Sequence, residues 1–339
     1  MASSDTLKLD FVTLDVFTDT RYKGNPLAVV FIPAALRDRV SQEAKQRIAR
    51  EFNLSETVFL HTVENEPNTT VTTREIDIFS TEEELPFAGH PTIGSAYLVL
   101  NHLGWSHVDT LLTKAGPISI VPLQGPQATN AVRAAIPHAV HVHQQTLGSI
   151  LESASTTEVT ADAIKNGLSV DPEIRAAELV APVVSIVRGM TFLLTRLPSL
   201  EHLARAVPAN RLDFAKIDGL LDQGEWHKSF TVRYYYVPSV ESRASDGSCE
   251  FAMQTRMVEL GFEDPATGSG ACALASYLTI SEKADQGAHF AITQGVEMGR
   301  RSDISVDAVA QVEESGEVQL KELYLGGTAA VVMSGSISV

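Results

Sequence analysis

Apolar residues in this chain fall mostly in short runs separated by Gly, Pro, Asn and Asp, a pattern typical of β-strands joined by turns. We predict strands over residues 7–17, 27–32, 55–60, 74–79, 118–121, 183–197, 230–237, 249–257, 289–293, 304–312 and 318–339. Few helices accompany them: one capped by Ser41, one over residues 199–206, and one apolar helix after each of two glycine-bearing turns. Many strands with few helices predict an α+β fold rather than a doubly wound sheet.

The two glycine-bearing turns resemble each other. They have the sequences Leu85-Pro86-Phe87-Ala88-Gly89-His90 and Asp264-Pro265-Ala266-Thr267-Gly268-Ser269-Gly270. With Ala88-Gly89 laid over Thr267-Gly268, both turns enter their helices in the same way. The first N–H groups of a helix lack intrahelical acceptors, and the helix dipole favours an anion such as a carboxylate or phosphate there. Either turn alone could be an ordinary capped loop, but together they predict two related lobes that offer helix N-termini to a shared cleft.

The length of 339 residues allows two domains with cores of their own. We predict an N-terminal lobe of residues 1–124 plus 325–339 and a C-terminal lobe of residues 125–324, with the active site in the cleft between them. A linker is predicted at residues 124–126, where Gly and Pro follow a strand. Residues 139–180 are rich in Ser, Thr and His, and they predict helices and loops.

The chain carries 42 acidic and 26 basic residues, a formal net charge of −16. This charge argues against a nucleic-acid or anionic-membrane partner, since a phosphate backbone requires a basic face. No apolar run approaches the roughly 20 residues of a membrane span, and no secretory signal precedes the first strand. Cys249 and Cys272 are too few for a disulfide framework or a thiolate metal site, and Cys272 fits a small buried side chain. We expect a soluble cytoplasmic protein.

Three histidines, His138, His141 and His143, are close enough in sequence to suggest zinc. Their spacing matches no common ligand pattern, so we interpret this segment as a polar loop without a metal.

Five motifs are spread along most of the chain. In order, they are Gly24-Asn25-Pro26-Leu27-Ala28-Val29-Val30, Phe52-Asn53-Leu54-Ser55-Glu56-Thr57-Val58-Phe59, Leu85-Pro86-Phe87-Ala88-Gly89-His90-Pro91-Thr92, Glu263-Asp264-Pro265-Ala266-Thr267-Gly268-Ser269 and Gln294-Gly295-Val296-Glu297-Met298-Gly299-Arg300. Together they make the chain resemble the PhzF-like (phenazine biosynthesis PhzF) family. Residues 130–250 match less well. The resemblance implies the diaminopimelate-epimerase fold, in which each of two similar lobes is a curled, mostly antiparallel sheet wrapped around a central helix.

The resemblance also implies site residues. Glu56 would be the general acid/base, and His90 and Asp264 would be catalytic residues in the same pocket. Substrate-binding positions would be Asn25, Gly89, Thr267, Gly268, Ser269 and Gly270. The pKa of Glu56 would have to rise from about 4.3 toward about 6–7, which burial can produce. The family implies a homodimer and requires no metal or redox cofactor.

The resemblance predicts a cofactor-independent isomerase that shifts a proton and a double bond in a small carboxylate-bearing substrate. Two-base epimerases of this fold use paired cysteines, but the matching positions here are Ala88 and Thr267, which cannot act as thiolate bases. One alternative is a cyclase or epimerase of secondary metabolism that uses the same glutamate; another is a binding protein without turnover. In that last case Glu56 could be a solvated acid, His90 a core hydrogen-bonding residue and Asp264 a turn cap.

Overall fold

The computed structural model describes residues 7–66, 68–123, 130–208, 210–243, 248–282, 284 and 286–339. Its contacts divide the chain into unit 1, Met1–Ile136 with Tyr324–Val339, and unit 2, Pro137–Leu323. The linker predicted at residues 124–126 lies outside the described residues, and the first boundary between the units falls after residue 136.

The described chain contains strands and helices in an α+β arrangement. The strands are β1 Lys8–Val16, β2 Asn25–Ile32, β3 Thr57–His61, β4 Thr73–Phe79, β5 Glu84–Leu85, β6 Thr110–Thr113, β7 Gly116–Pro122, β8 Val132–Ala135, β9 His141–Val142, β10 Val183–Val187, β11 Met190–Arg196, β12 Phe230–Arg243, β13 Cys249–Glu259, β14 Phe262–Asp264, β15 Ala288–Gln294, β16 Ser302–Val312, β17 Val318–Gly327 and β18 Ala329–Ser338. The helices are α1 Gln42–Phe52, α2 Gly89–Tyr97, α3 Leu147–Glu152, α4 Glu158–Gly167, α5 Pro172–Val180, α6 Leu200–Arg205 and α7 Gly268–Ser281.

Unit 1 is a mostly antiparallel sheet around the buried helix α2. Strand β1 lies between β18 and β2, β2 is parallel to β3, and β3 is antiparallel to β4. Strand β4 also pairs with β5, in antiparallel orientation, and with β6, in parallel orientation. The remaining pairs, β6 with β7, β7 with β8, and β8 with the last residues of β17, are antiparallel. Helix α2 packs against β1, β2, β3, β8 and β18, so the sheet curls around it.

Unit 2 repeats this order of elements. The hairpin β10–β11 is followed by β12 parallel to β11, by β13 antiparallel to β12, and by the short strand β14. Helix α7 follows, then β15 parallel to β13, and β16 antiparallel to β15. Helix α7 packs against β10, β11, β15 and β16. The predicted pair of related lobes, each a curled sheet around one helix, is therefore present in the two units.

Strand register defines which residues of the two repeats correspond. Ile78 of β4 pairs with Leu85 of β5, and Met257 of β13 pairs with Asp264 of β14. Leu85 is thus the counterpart of Asp264, and counting forward makes Ala88 the counterpart of Thr267. Helix α2 begins directly after Ala88 and α7 directly after Thr267. The overlay proposed from sequence is confirmed.

The same register identifies the counterpart of Glu56. Val58 of β3 pairs with Ile78, and the β12–β13 register, continued by one residue, brings Tyr234 beside Met257. Val58 therefore corresponds to Tyr234. Counting back two residues from each, Glu56 corresponds to Val232. Each repeat therefore carries one carboxylate where the other carries an aliphatic side chain.

One strand prediction is wrong. Residues 183–197 were expected to form a single strand, but they form the hairpin β10–β11. Gly189 has a φ of +88°, a left-handed conformation that glycine adopts without steric cost, so the chain can reverse direction there.

Candidate functional site

Asn25, Glu56 and His90 lie together in unit 1. Asn25 is the first residue of β2, Glu56 immediately precedes β3, and His90 is the second residue of α2. Because β2 and β3 are parallel, both strands begin at the same edge of the sheet, where α2 also begins. The Nδ1 atom of His90 is 3.5 Å from Oε2 of Glu56 and 3.5 Å from Nδ2 of Asn25. Both neighbours thus converge on one ring nitrogen.

The environment of Glu56 favours its neutral form. Its side chain is 19% exposed and the His90 side chain 6% exposed. Burial raises the pKa of Glu56, and a hydrogen bond with the Ser55 side chain opposes part of that rise. A carboxyl group whose pKa moves toward neutrality can both donate and accept a proton at physiological pH, which general acid/base catalysis requires.

The raised pKa of Glu56 predicts a pH-dependent stability effect. The folded protein binds more protons than the unfolded chain between the ordinary pKa of a glutamate and the raised pKa of Glu56 in the folded state, so stability falls as pH rises through that window. Glutamine has no such titration. We expect Glu56→Gln to raise the melting temperature at pH 8 relative to the unsubstituted protein, with a smaller difference at pH 4. Calorimetry across this pH range would measure it, and a difference that does not grow with pH would contradict it.

The second predicted cluster, in unit 2, centres on Asp264 and Thr267. Asp264 ends β14, and Thr267 is the residue before α7. The Thr267 hydroxyl donates to Oδ2 of Asp264 at 2.7 Å, and the Ala266 N–H donates to Oδ1 at 3.4 Å. Asp264 does cap its turn, as the structural alternative expected, and its carboxylate is fixed in orientation.

The start of α7 provides backbone donors. The first helical bond runs from the Ala271 N–H to the Thr267 carbonyl at 2.9 Å. The N–H groups of Gly268, Ser269 and Gly270 precede this bond, at the positive end of the helix dipole. A Cβ on Gly270 would lie 3.0 Å from the Tyr234 ring, so glycine allows α7 to approach the sheet closely.

In unit 1, α2 begins in the same way. Gly89 is its first residue, and its first helical bond runs from the Thr92 N–H to the Ala88 carbonyl at 3.3 Å. All the predicted site residues thus lie in two groups, Asn25, Glu56, Gly89 and His90 in unit 1 and Asp264, Thr267, Gly268, Ser269 and Gly270 in unit 2. The expectation that both groups serve one substrate stays a prediction.

Sequence reasoning missed Gln294 as a site residue. It ends β15 and is fully buried, and its amide contacts both Thr267 and the Asp264 backbone. The only sequence signal was its place at the start of the fifth motif, which does not reveal what it contacts.

Neither of the residues that precede α2 and α7 is a cysteine that could act as a thiolate base. The two helix-preceding positions hold Ala88 and Thr267, and Cys272 lies inside α7, where burial raises the pKa of its thiol. Cys272 is buried, as predicted.

The histidine segment differs from the predicted polar loop, because His141 lies in β9. His141 Nε2 is 2.8 Å from Oδ2 of Asp222, and its ring stacks on Trp226. The Asp222 N–H donates to Nδ1 of His143 at 2.9 Å, while Nε2 of His143 pairs with Ser185. These three side chains could approach one cation, but the Nδ1 lone pair that would ligate it already accepts a backbone hydrogen bond. We interpret the cluster as a hydrogen-bonded support.

Helix length bears on membrane insertion. The longest helix in the described ranges, α7, has 14 residues, whereas a span requires about 20. None of the helices that the structure describes could therefore cross a bilayer.

Comparisons with known proteins agree with this picture. A family model described as phenazine biosynthesis-like protein (PhzC-PhzF) matches residues 14–335. The chain is 31% identical to an uncharacterized isomerase of Mesorhizobium japonicum, over 97% of this chain and 99% of that protein. It is 26% identical to trans-2,3-dihydro-3-hydroxyanthranilate isomerase of Pseudomonas chlororaphis, over 90% of this chain and 95% of that protein.

A solved structure extends the comparison to the fold. The PhzF-family protein of Bacillus anthracis superposes with a TM-score of 0.68 at 19% identity, covering 98% of this chain and 100% of its own. The predicted diaminopimelate-epimerase-like fold class is confirmed.

Proposed function

Since the chain belongs to the PhzC-PhzF family of phenazine biosynthesis-like proteins, we propose that it is a cofactor-independent isomerase that transfers a proton within a small carboxylate-bearing substrate. Glu56 is the general acid/base. The observation that carries this proposal is a mostly buried carboxyl group of raised pKa, 3.5 Å from a histidine ring nitrogen at a helix start.

The proposed step balances without an external reagent. The Glu56 carboxylate removes a proton from one substrate carbon, and the electron pair of that C–H bond becomes part of a shifted double bond. The carboxylic acid so formed returns the proton to the carbon at the other end of the π-system. The Nδ1 atom of His90, which faces the donor Nδ2 of Asn25, can accept a hydrogen bond from the acid form of Glu56 and hold it in position.

Asp264, Ser269 and the first N–H groups of α7 have proposed roles in binding. Backbone donors at the positive end of a helix suit the substrate carboxylate. Asn25 supports the proposal as an amide beside His90, which it can hold in one orientation. We propose Gly89, Thr267, Gly268 and Gly270 as further binding positions because they form the two helix starts.

A one-base reaction is favoured over two-base epimerisation by the repeat itself. In a symmetric two-base site, each repeat would supply a base at the equivalent position. Here Val232 occupies the position equivalent to Glu56, and Leu85 the position equivalent to Asp264. A purely binding protein is disfavoured because a buried carboxyl group costs folding free energy that a scaffold gains nothing from.

The test is proton exchange in D₂O. The purified protein is incubated with trans-2,3-dihydro-3-hydroxyanthranilate, the compound in the name of the Pseudomonas chlororaphis relative, and with a panel of small unsaturated carboxylates. Products are read by NMR and mass spectrometry. We expect conversion of at least one compound with the proton shifted between carbons. Ring formation would indicate a cyclase and inversion at a single carbon an epimerase; binding without conversion or exchange would overturn the proposal.

A further inference from the structure

A buried hydrogen-bond network extends behind the turn that carries Asp264. The Gln294 Nε2 group donates to the Asp264 carbonyl at 2.8 Å and to the Thr267 hydroxyl at 2.9 Å. Its Oε1 accepts from the Thr267 N–H at 3.2 Å and from the Tyr234 hydroxyl at 2.9 Å. The side chains of Gln294 and Tyr234 are fully buried, so water has little access to the Gln294 amide.

These contacts permit only one orientation of the Gln294 amide. The Asp264 carbonyl can only accept a hydrogen bond, so it must face the Nε2 group. The Thr267 N–H can only donate, so it must face Oε1. A flipped amide would place two acceptors together and two donors together within a buried site.

The fixed amide sets the direction of the next bond. The Thr267 hydroxyl accepts from Gln294 with one lone pair, and its own proton then points to Oδ2 of Asp264 at 2.7 Å. A hydrogen bond donated to a carboxylate favours the ionised form.

We propose that Gln294 is a positioning residue that acts through the Thr267 hydroxyl and holds Asp264 as a carboxylate. Tyr234 supports it from the opposite side by donating to Oε1. The backbone also favours this arrangement: Gly295, the next residue, has a φ of +73°, and a Cβ there would lie 2.7 Å from the Pro265 carbonyl. The Gln-Gly pair therefore fits closely under the Asp264-Pro265 turn.

This role gives the two acids of the proposed function different proton affinities. Burial raises the pKa of Glu56, which suits a group that takes up and returns a proton, whereas the network favours the ionised form of Asp264. Opposed environments of this kind assign different roles to the carboxyl groups of an enzyme. The catalytic meaning of the inference rests on the proposed function, but the protonation state of Asp264 does not.

The test reads that protonation state directly. Protein labelled with ¹³C at the aspartate side-chain carboxyl is titrated by NMR, and Asp264→Asn identifies the Asp264 signal by its disappearance. We expect Gln294→Met, which preserves length and shape, to raise the titration midpoint of Asp264 by about one pH unit, the scale of one hydrogen bond to a charged group. Thr267→Val should raise the Asp264 midpoint by the same amount. Thr267→Ser, which keeps a hydroxyl, should leave the midpoint at the value of the unsubstituted protein.

A double-mutant cycle separates positioning from general loosening. If Gln294 acts through Thr267, the double variant Gln294→Met with Thr267→Val should shift the midpoint no more than Thr267→Val alone. Gln46, whose amide donates to the Ser80 carbonyl in unit 1, provides the matched control: Gln46→Leu should leave the midpoint unchanged. If the methionine variant does not fold, Gln294→Asn, which withdraws both donors by one methylene, replaces it. An unchanged midpoint in a folded Gln294 variant, or additive shifts in the double variant, would overturn the proposal whether or not turnover is found.

Discussion

Replacing Glu56 by glutamine is expected to lower kcat by about 10²–10⁴-fold, the usual contribution of a positioned general acid/base. Glutamine has nearly the same shape as glutamate and can still hydrogen-bond to His90, so the site should keep its form. It cannot take a proton from carbon. We therefore expect the effect in kcat, with KM changed little, and loss of deuterium exchange into the bound substrate.

The matched control for this prediction is Glu51→Gln, on the exposed side of α1. It makes the same chemical change in the same unit, and its kcat should equal that of the unsubstituted protein. Retention of activity in Glu56→Gln would remove Glu56 from the mechanism. Equal loss of kcat in both variants would indicate a general effect on unit 1 rather than chemistry at Glu56. Together with the expected gain in stability at high pH, the result would identify Glu56 as a residue kept for function at a cost in stability.

The parts of the site that sequence could predict are those set by local chemistry. Ala88-Gly89 and Thr267-Gly268 each combine a residue outside the helical conformation with a glycine that begins a helix, and such turns have recognisable sequences. Apolar patterning likewise predicted β4 and β13, which lead toward the turns, but not the short strands β5 and β14 that enter them. Residues 183–197 were predicted as one strand because their apolar character continues through a glycine turn.

What sequence could not predict depends on contacts between distant residues. Gln294 lies 27 positions beyond Thr267, and they meet only because β15 pairs in parallel with β13 and ends beside the start of α7. Glu56 and Asp264 each correspond to an aliphatic residue in the other repeat. This could not be predicted from sequence, since Val232 can be matched to Glu56 only when the strand pairings are known. The pairing of His141 with Asp222 could not be predicted for a similar reason, because the two residues are 81 positions apart.

Helices α4 and α5 of unit 2 are joined to the sheet of that unit by a buried ion-pair network around Arg233. Arg233, on β12, donates to both carboxylate oxygens of Glu259 on β13. It also reaches Oε1 of Glu178 on α5 at 3.4 Å and the Gly167 carbonyl at 3.0 Å. The Tyr235 hydroxyl donates to the same Glu178 oxygen at 2.6 Å. One guanidinium thus connects helices α4 and α5 to the sheet.

Removing that guanidinium should be strongly destabilising. Arg233 and Glu178 side chains are both 0% exposed, so Arg233→Met would leave the Glu178 carboxylate buried without its cation. Loss of one partner of a buried pair costs about 3–5 kcal/mol, and we expect the free energy of unfolding in urea to fall by that amount. Arg196→Met breaks an exposed pair with Glu241 on the same sheet and should cost less than about 1 kcal/mol.

The cause of the loss can be separated from loss of packing. If the uncompensated carboxylate is responsible, adding Glu178→Gln to Arg233→Met should recover part of the stability, because the remaining amide carries no charge to desolvate. If the lost contacts of the arginine stem were responsible, the second substitution would recover nothing. A cost for Arg233→Met no larger than that for Arg196→Met would show that this network does not hold α4 and α5 against the sheet.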